Sequence, residues 1–228
     1  LPLPTMLHEM GVNALNYCAY DMCIRNEDTP TLDGWLVIPN TLESGWIDLY
    51  HVPSQQRIIE SLGRQADIRS GTERPAIVMA LQICILRDIL WIVAGYEDGV
   101  LQAWTIPVST MEPTLVWTHK SHAESIMALS MSPTCDSVLS LGADNNIVRT
   151  ALHLEAVPHV QRIKRPGHAC ASVRWDEQVC VLGGWDACAR DFTWPSLEPL
   201  AKLAYHKDSI YALTCVRLAA VHVLPAHL

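Results

Sequence analysis

Phenylalanine occurs once in the 228 residues, at Phe192, although eight Trp and six Tyr are present. Indole and phenol each carry a polar atom that needs a partner, so these rings suit strand ends and interfaces better than a uniformly dry core. Charge is scarce too, at 18% of residues, and it leans acidic, with 16 Lys and Arg against 24 Asp and Glu for a net −8 at pH 7. That balance argues against a broad electrostatic grip on DNA or RNA, and no direct nucleic-acid partner is expected. The nearest approach to a basic patch is Arg162, Lys164, Arg165 and His168, which reads as a solvated strand edge rather than a phosphate site.

No two of the eight cysteines (Cys18, Cys23, Cys84, Cys135, Cys170, Cys180, Cys188, Cys215) are spaced Cys-x-x-Cys. Several sit inside apolar runs such as Ile83-Cys84-Ile85 and Val179-Cys180-Val181, where a free thiol behaves as a small buried hydrophobe. A zinc site from Cys18, Cys23 and a distant His is the alternative weighed against this. The expectation is a reducing compartment, no metal and no cofactor, and no signal peptide is recognised. Half of the chain is hydrophobic, which excludes wholesale disorder, and the length suffices for a sizeable core.

One apolar run, Ala76 to Gly95, is long enough to cross a bilayer. Arg87 and Asp88 interrupt its middle, where each would be costly in lipid. Ile77 to Ile85 and Ile89 to Val93 therefore read as two buried strands joined by an Arg-Asp turn, and no membrane association is expected.

What the chain does have is a repeat. Ala94-Gly95-Tyr96-Glu97-Asp98-Gly99 runs into a strand ending at Trp104, and Leu141-Gly142-Ala143-Asp144-Asn145 into one ending at Thr150. Gly183-Gly184-Trp185-Asp186-Ala187 runs into one ending at Phe192. The turn aspartates lie 46 and 42 residues apart, and each closing residue stands six after its Asp. Spacing of this kind is the sign of a WD-repeat propeller. The fold class expected is all-β, a partial WD-repeat β-propeller of about four to five four-stranded blades out of seven. The blades are expected near 12–62, 76–118, 123–164, 168–204 and an incomplete 206–216, with an irregular tail over 217–228. In the first blade Val12 to Tyr20 is read as the inner strand, Gly34 to Pro39 and Ile47 to Val52 as the next two, with Ser44 in place of the turn Asp and Tyr50 at the aromatic position. Ser209 to Cys215 begins the fifth.

The turn between the second and third strands of a blade favours Asp, which hydrogen-bonds its own backbone. A half-buried carboxylate there needs a donor, and a His at the start of the inner strand can supply one. The expected pairs are His122 with Asp144 and His168 with Asp186, with Asp98 as a third turn aspartate. A pairing that repeats is structural, whereas a catalytic pair should occur once.

The segments Val93 to Gly99, Gly183 to Ala187 with Ala201 to His206, and Ile38-Pro39-Asn40 leading into Asp48 to Ser54 resemble the ASTRA-associated WD-repeat proteins of fungi, whose animal relative is a G-protein-β-subunit-like protein. The likeness covers about Val12 to Cys215. It implies a nuclear scaffold subunit, with a cytoplasmic pool as a second location, in the ASTRA complex. It also implies a link to chromatin remodelling and to the co-chaperone assembly that matures PI3-kinase-like kinases. Partners are then other subunits of a multiprotein complex, and the family has no catalytic residues to carry over. Relative to that family the chain starts near a middle blade and ends without a closing Asp turn and Trp strand, so a truncated or mispredicted product is expected.

The residues ahead of the turn aspartates, Glu97, Ala143 and Trp185, are expected on the propeller rim. Trp185 beside Arg190, with Glu97, forms the candidate partner-binding rim, where an exposed Trp is the usual kind of anchor. A generic adaptor or a histone or phosphopeptide reader is the alternative function. A hydrolase would need a polar constellation that breaks the repeat, for which His119, His122 and Glu124, or His51 with Ser54, are the candidates. Neither has a Gly-rich phosphate loop or nucleophile elbow beside it, and an enzyme is not expected.

Overall fold

The computed structural model describes residues 9–13, 16, 18–25, 33–64, 76–153, 157–164 and 167–215. The expected tail over 217–228, and most of the polar stretch from Gly63 to Pro75, lie outside them. Among the described residues sixteen strands form four antiparallel sheets of four. Sheet 1 holds β1 (Asp21–Ile24), β2 (Gly34–Pro39), β3 (Ile47–His51) and β4 (Gln56–Leu62). Sheet 2 holds β5 (Val78–Leu86), β6 (Ile89–Tyr96), β7 (Val100–Pro107) and β8 (Thr114–Lys120). Sheet 3 holds β9 (Ile126–Met131), β10 (Ser137–Gly142), β11 (Asn146–Ala151) and β12 (His159–Arg162). Sheet 4 holds β13 (His168–Val173), β14 (Val179–Gly184), β15 (Ala189–Thr193) and β16 (Pro199–Leu203). Each is a meander, and the first strands β1, β5, β9 and β13 stand side by side in that order. This is a partial β-propeller.

Burial is deepest in the second strands of the sheets. The second strands β6 and β10 are buried almost throughout, whereas every residue of β16 is exposed. A strand covered on both faces reads as an unbroken apolar run instead of an alternating one, which explains why Ala76 to Gly95 resembles a membrane span. It is a hairpin: Leu86 pairs with Ile89, and Arg87 (φ 51°) and Asp88 (φ 60°) make a two-residue turn with both central residues left-handed. Among the described residues no helix is long and apolar enough to cross a membrane.

The core divides into three clusters, each between successive sheets. Trp35, Leu49, Leu81 and Trp104 share the first, Val93, Leu101, Ile126 and Val138 the second, and Leu139, Ile147, Leu182 and Phe192 the third. Trp104, Thr150 and Phe192, expected to close the third strands, lie one to three residues before the ends of β7, β11 and β15, and all are buried, as is Tyr50. The rings differ in how they meet their polar needs. Trp117 Nε1 donates to the Leu152 carbonyl at 3.2 Å, while the buried Trp35 Nε1 has no acceptor.

The first strands are also tied to one another by a repeated side-chain bond. Asp21 Oδ2 accepts from Ile83 N (2.8 Å), Gln82 Oε1 from Met131 N (2.9 Å), Ser130 Oγ from Val173 N (3.1 Å) and Ser172 Oγ from Cys215 N (3.0 Å). In each of the last three sheets a polar residue accepts from the segment ahead while its next neighbour donates to the strand behind. Ser209 to Cys215 is not a strand, but it lies against sheet 4 through this bond and through Ile210 N to the Gly184 carbonyl (3.1 Å).

Two details of the first sheet depart from the sequence reading. The described residues of Val12 to Tyr20 lie outside any strand, and β1 begins at Asp21. The reason is local: Asn13 Nδ2 donates to Asn40 O and Ser44 Oγ, Asn16 Nδ2 to Ser44 O, and Asn16 Oδ1 accepts from Cys18 N. These amide side chains anchor the segment to a turn instead of to a ladder. The residue that shapes that turn is Asn40, not Ser44, because Asn40 Oδ1 accepts from Leu42 N (3.0 Å) and Glu43 N (2.9 Å).

Candidate interaction rim

The three turn aspartates have different surroundings. Asp144 is the most enclosed. Its Oδ1 lies 3.0 Å from His122 Nδ1, its Oδ2 accepts from Ala123 N (3.0 Å), and Asn146 N bonds Oδ1 (3.0 Å). His122 Nε2 meets Ser140 Oγ at 2.9 Å, so a buried Ser140–His122–Asp144 chain ties three elements together. Burial alone would raise the Asp144 carboxyl, but the bonds from His122 and the two amides outweigh it and hold the group below its ordinary value.

Asp186 is not joined to His168. Arg190 takes both of its oxygens, Nη1 to Oδ1 at 2.9 Å and Nη2 to Oδ2 at 2.5 Å, and this fork holds the carboxyl at about 2. The physical reason is that Asp186 and Arg190 lie four residues apart across one tight turn, and a bidentate guanidinium outcompetes a single imidazole donor. His168 is left fully buried with neither ring nitrogen partnered. Burial, and then the Arg190 charge, push its imidazole down to about 4, so it is neutral.

Asp98 has no histidine either. Exposed at its turn, it accepts from Val100 N at 3.0 Å, and the Lys120 ammonium reaches its backbone carbonyl. Beside it, Gly99 sits at φ +81°, where a Cβ would come within 2.2 Å of the His122 carbonyl oxygen, and Ser121 N and His122 N both donate to Gly99 O. The backbone itself closes this turn.

Of the rim residues, Glu97 is exposed, and its Oε1 accepts from Ile77 N at 3.0 Å. Ala143 is half-buried. Trp185 is 40% exposed, with one edge of its six-membered ring laid on Gly167, where a Cβ would approach Cε3 to 2.1 Å. Gly167 adopts φ +87°, and Trp185 N donates to its carbonyl at 3.2 Å. Trp185 is thus a braced ring with one open face. Arg190 is only 11% exposed and spent on Asp186, so it stiffens the turn and offers little charge outward.

Three features escaped the sequence reading. Arg190 as the partner of Asp186 was visible in principle as an Asp/Arg pair at a four-residue spacing. Asn40 also accompanies the buried Asp48, donating at 2.8 Å, and Arg57 pairs with the same carboxylate. The third is Asp33, whose Oδ1 is 3.2 Å from His51 Nε2 while His51 Nδ1 is 2.9 Å from Ser54 Oγ. That series joins three neighbouring segments of sheet 1, and Ser54 stands exposed at the β3–β4 turn. His119 stacks on Trp117, with centroids 4.9 Å apart, instead of joining His122. Among the described residues no group of three His, Cys, Asp or Glu could hold a metal ion.

No family model matches the chain. Individual relatives do. "ASTRA-associated protein 1" of Verticillium alfalfae is 30% identical over 224 residues, covering 93% of this chain and 53% of that protein. The protein of the same name from Penicillium rubens is 26% identical over 248 residues, with 92% and 55% covered. "Guanine nucleotide-binding protein subunit beta-like protein 1" of Mus musculus is 25% identical over 226 residues, with 97% and 64% covered. The chain spans about half the length of these fungal relatives. Meandering sheets and repeated turns on one side, and alignment along nearly all of this chain on the other, lead to one conclusion: it is a relative of the ASTRA-associated WD-repeat proteins.

Proposed function

We propose that the chain is a non-catalytic docking scaffold that presents its blade turns to other subunits of an ASTRA-type assembly. In this proposal it acts in the nucleus, in chromatin remodelling, and in concert with the co-chaperone machinery that matures PI3-kinase-like kinases. The observation that carries the reading is the alignment with the ASTRA-associated proteins along 93% of the chain. The rim supports it physically. A half-exposed indole braced on a glycine has little conformational freedom left to lose on binding, which is what an anchor residue needs. The His–Asp chemistry supports it as well, since of the two expected turn pairs the joined one, His122 with Asp144, is buried and committed to holding a turn.

Affinity purification of the tagged chain, read by mass spectrometry, tests the proposal. Recovery of remodelling or kinase-maturation subunits is expected. A chain that purifies alone and turns over a hydrolase substrate would overturn it.

A further inference from the structure

The outer edges of sheets 3 and 4 enclose a cleft of about 390 Å³. Arg162 and Lys164 enter it from the β12 side and Lys202 from β16, while Ile163, Phe192 and Leu200 supply an apolar floor. No carboxylate lines it, and among the described residues none of these three cations is in an ion pair. Arg190 also borders the cleft, opposite Lys202 across the β15–β16 ladder, but its charge is already met by Asp186. Lysine on an edge strand often serves only to discourage edge-to-edge pairing. That need would be met sheet by sheet. It does not call for three cations from the edges of two sheets to converge around the buried Phe192, the half-buried Ile163 and the exposed Leu200.

We propose that this cleft is the seat of an extended acidic segment of a partner protein, one that alternates carboxylate and large aliphatic side chains. The alternation follows from the walls. Leu200 and Lys202 stand two apart on β16 and so present side chains at the strand period, while Arg162 ends β12 and Lys164 follows two residues on along the opposite wall. The partner is a peptide and not a nucleic acid because the chain as a whole carries net −8. A long polyanion leaving the cleft would meet that field, whereas a short segment stays within about a Debye length of the three cations. The proposal deepens the scaffold reading by naming the chemistry of one partner, and it can fail separately from it.

The test titrates the full chain into a fluorescein-labelled peptide of about ten residues alternating glutamate and leucine, read by polarisation. The same peptide with lysine for glutamate, and single-stranded oligo-dT, serve as the other two probes. The acidic peptide is expected to bind, more weakly as ionic strength rises, with the lysine peptide and the oligonucleotide inert. Lys164→Glu/Lys202→Glu should weaken binding by at least about tenfold, and Leu200→Ser should weaken it with little change in salt dependence. Thermal melts should show both variants folded, because the substituted side chains are exposed. Equal binding by the double variant, tighter binding of oligo-dT, or no binding of the acidic peptide would each overturn the cleft assignment. If the double variant still co-purifies every subunit, the cleft fails and the scaffold reading stands. A cleft that binds peptide in a chain that recovers no partner leaves the cleft and removes the scaffold.

Discussion

Arg190 grips Asp186 through two parallel bonds of 2.5 and 2.9 Å and so leaves His168, which pairs with Gly184 at the end of the β13–β14 ladder, with nothing to bond. One blade earlier the equivalent histidine, His122, bonds Asp144 directly, beside backbone amides and Asn146 but with no guanidinium on the carboxylate. The two turns have the same sequence logic and opposite outcomes, and the difference lies in one guanidinium.

Sheet 4 is expected to be acid-sensitive because of it. An unfolded imidazole takes up its proton near pH 6.5, whereas His168 does so only near 4. Above 6.5 neither state binds the proton; as pH falls from 6.5 toward 4 the unfolded chain binds it first, and stability drops. The full loss is on the order of 3 kcal/mol. The Asp186 carboxyl, held at about 2, gives up its own contribution only below its ordinary range, so the two windows do not overlap. Urea melts between pH 7 and 4.5 should show this fall in the parent chain and a flatter profile in His168→Leu. An unchanged slope in the variant would assign the effect elsewhere.

Arg190→Met should raise the His168 pKa, because the second contribution to its depression is the guanidinium charge. NMR titration of the imidazole measures it. The variant also strips Asp186 of its partner, so the same experiment should find that carboxyl titrating above about 2.

In sheet 1 the Arg57 guanidinium faces Asp48, which is 1% exposed and also accepts from Asn40 Nδ2 and Ser61 N. Arg57→Ala should destabilise by about 3–5 kcal/mol, since it strands a buried charge. Arg57→Met with Asp48→Asn should recover much of that, because the charge goes with its partner. Equal melting of the single and double variants would show that the pair is not desolvated.

The bonds between first strands allow a graded test. Ser130→Ala and Ser172→Ala remove the acceptors of Val173 N and Cys215 N, and each should cost about 1–3 kcal/mol. The amide of Val173 should exchange faster in Ser130→Ala, read by hydrogen exchange.

At the rim, Trp185→Ala is expected to reduce recovery of partner subunits while lowering the melting temperature little, because the ring packs mainly on Gly167 and is 40% exposed. A large fall in melting temperature with recovery unchanged would make the ring a packing element.

The meander was legible wherever a strand is either wholly buried or bounded by Gly and Asp. β2, β5, β6, β10 and β14 fall where apolar runs stop at turn residues. What did not show was the competition between partners. Asp186 reads like Asp144 until the bidentate geometry of Arg190 is known, and Val12 to Tyr20 reads as a strand until Asn13 and Asn16 are seen to spend their amides on the next turn. The basic stretch at Arg162 and Lys164 reads as a solvated edge because Lys202, which completes the cleft, lies 38 residues on from Lys164. His168, grouped with that stretch by sequence, is turned inward and takes no part.

The same enclosure that makes β6 secure is a hazard before the sheets assemble. Ile89 to Ala94 is an uncharged, proline-free stretch rich in β-branched and aromatic residues, the composition that stacks between molecules when left bare. Its first shelter in the nascent chain is β5, only two residues back through Arg87 and Asp88. Slow closure of that one hairpin would therefore show itself as clumping during synthesis, long before any defect appeared in the finished protein.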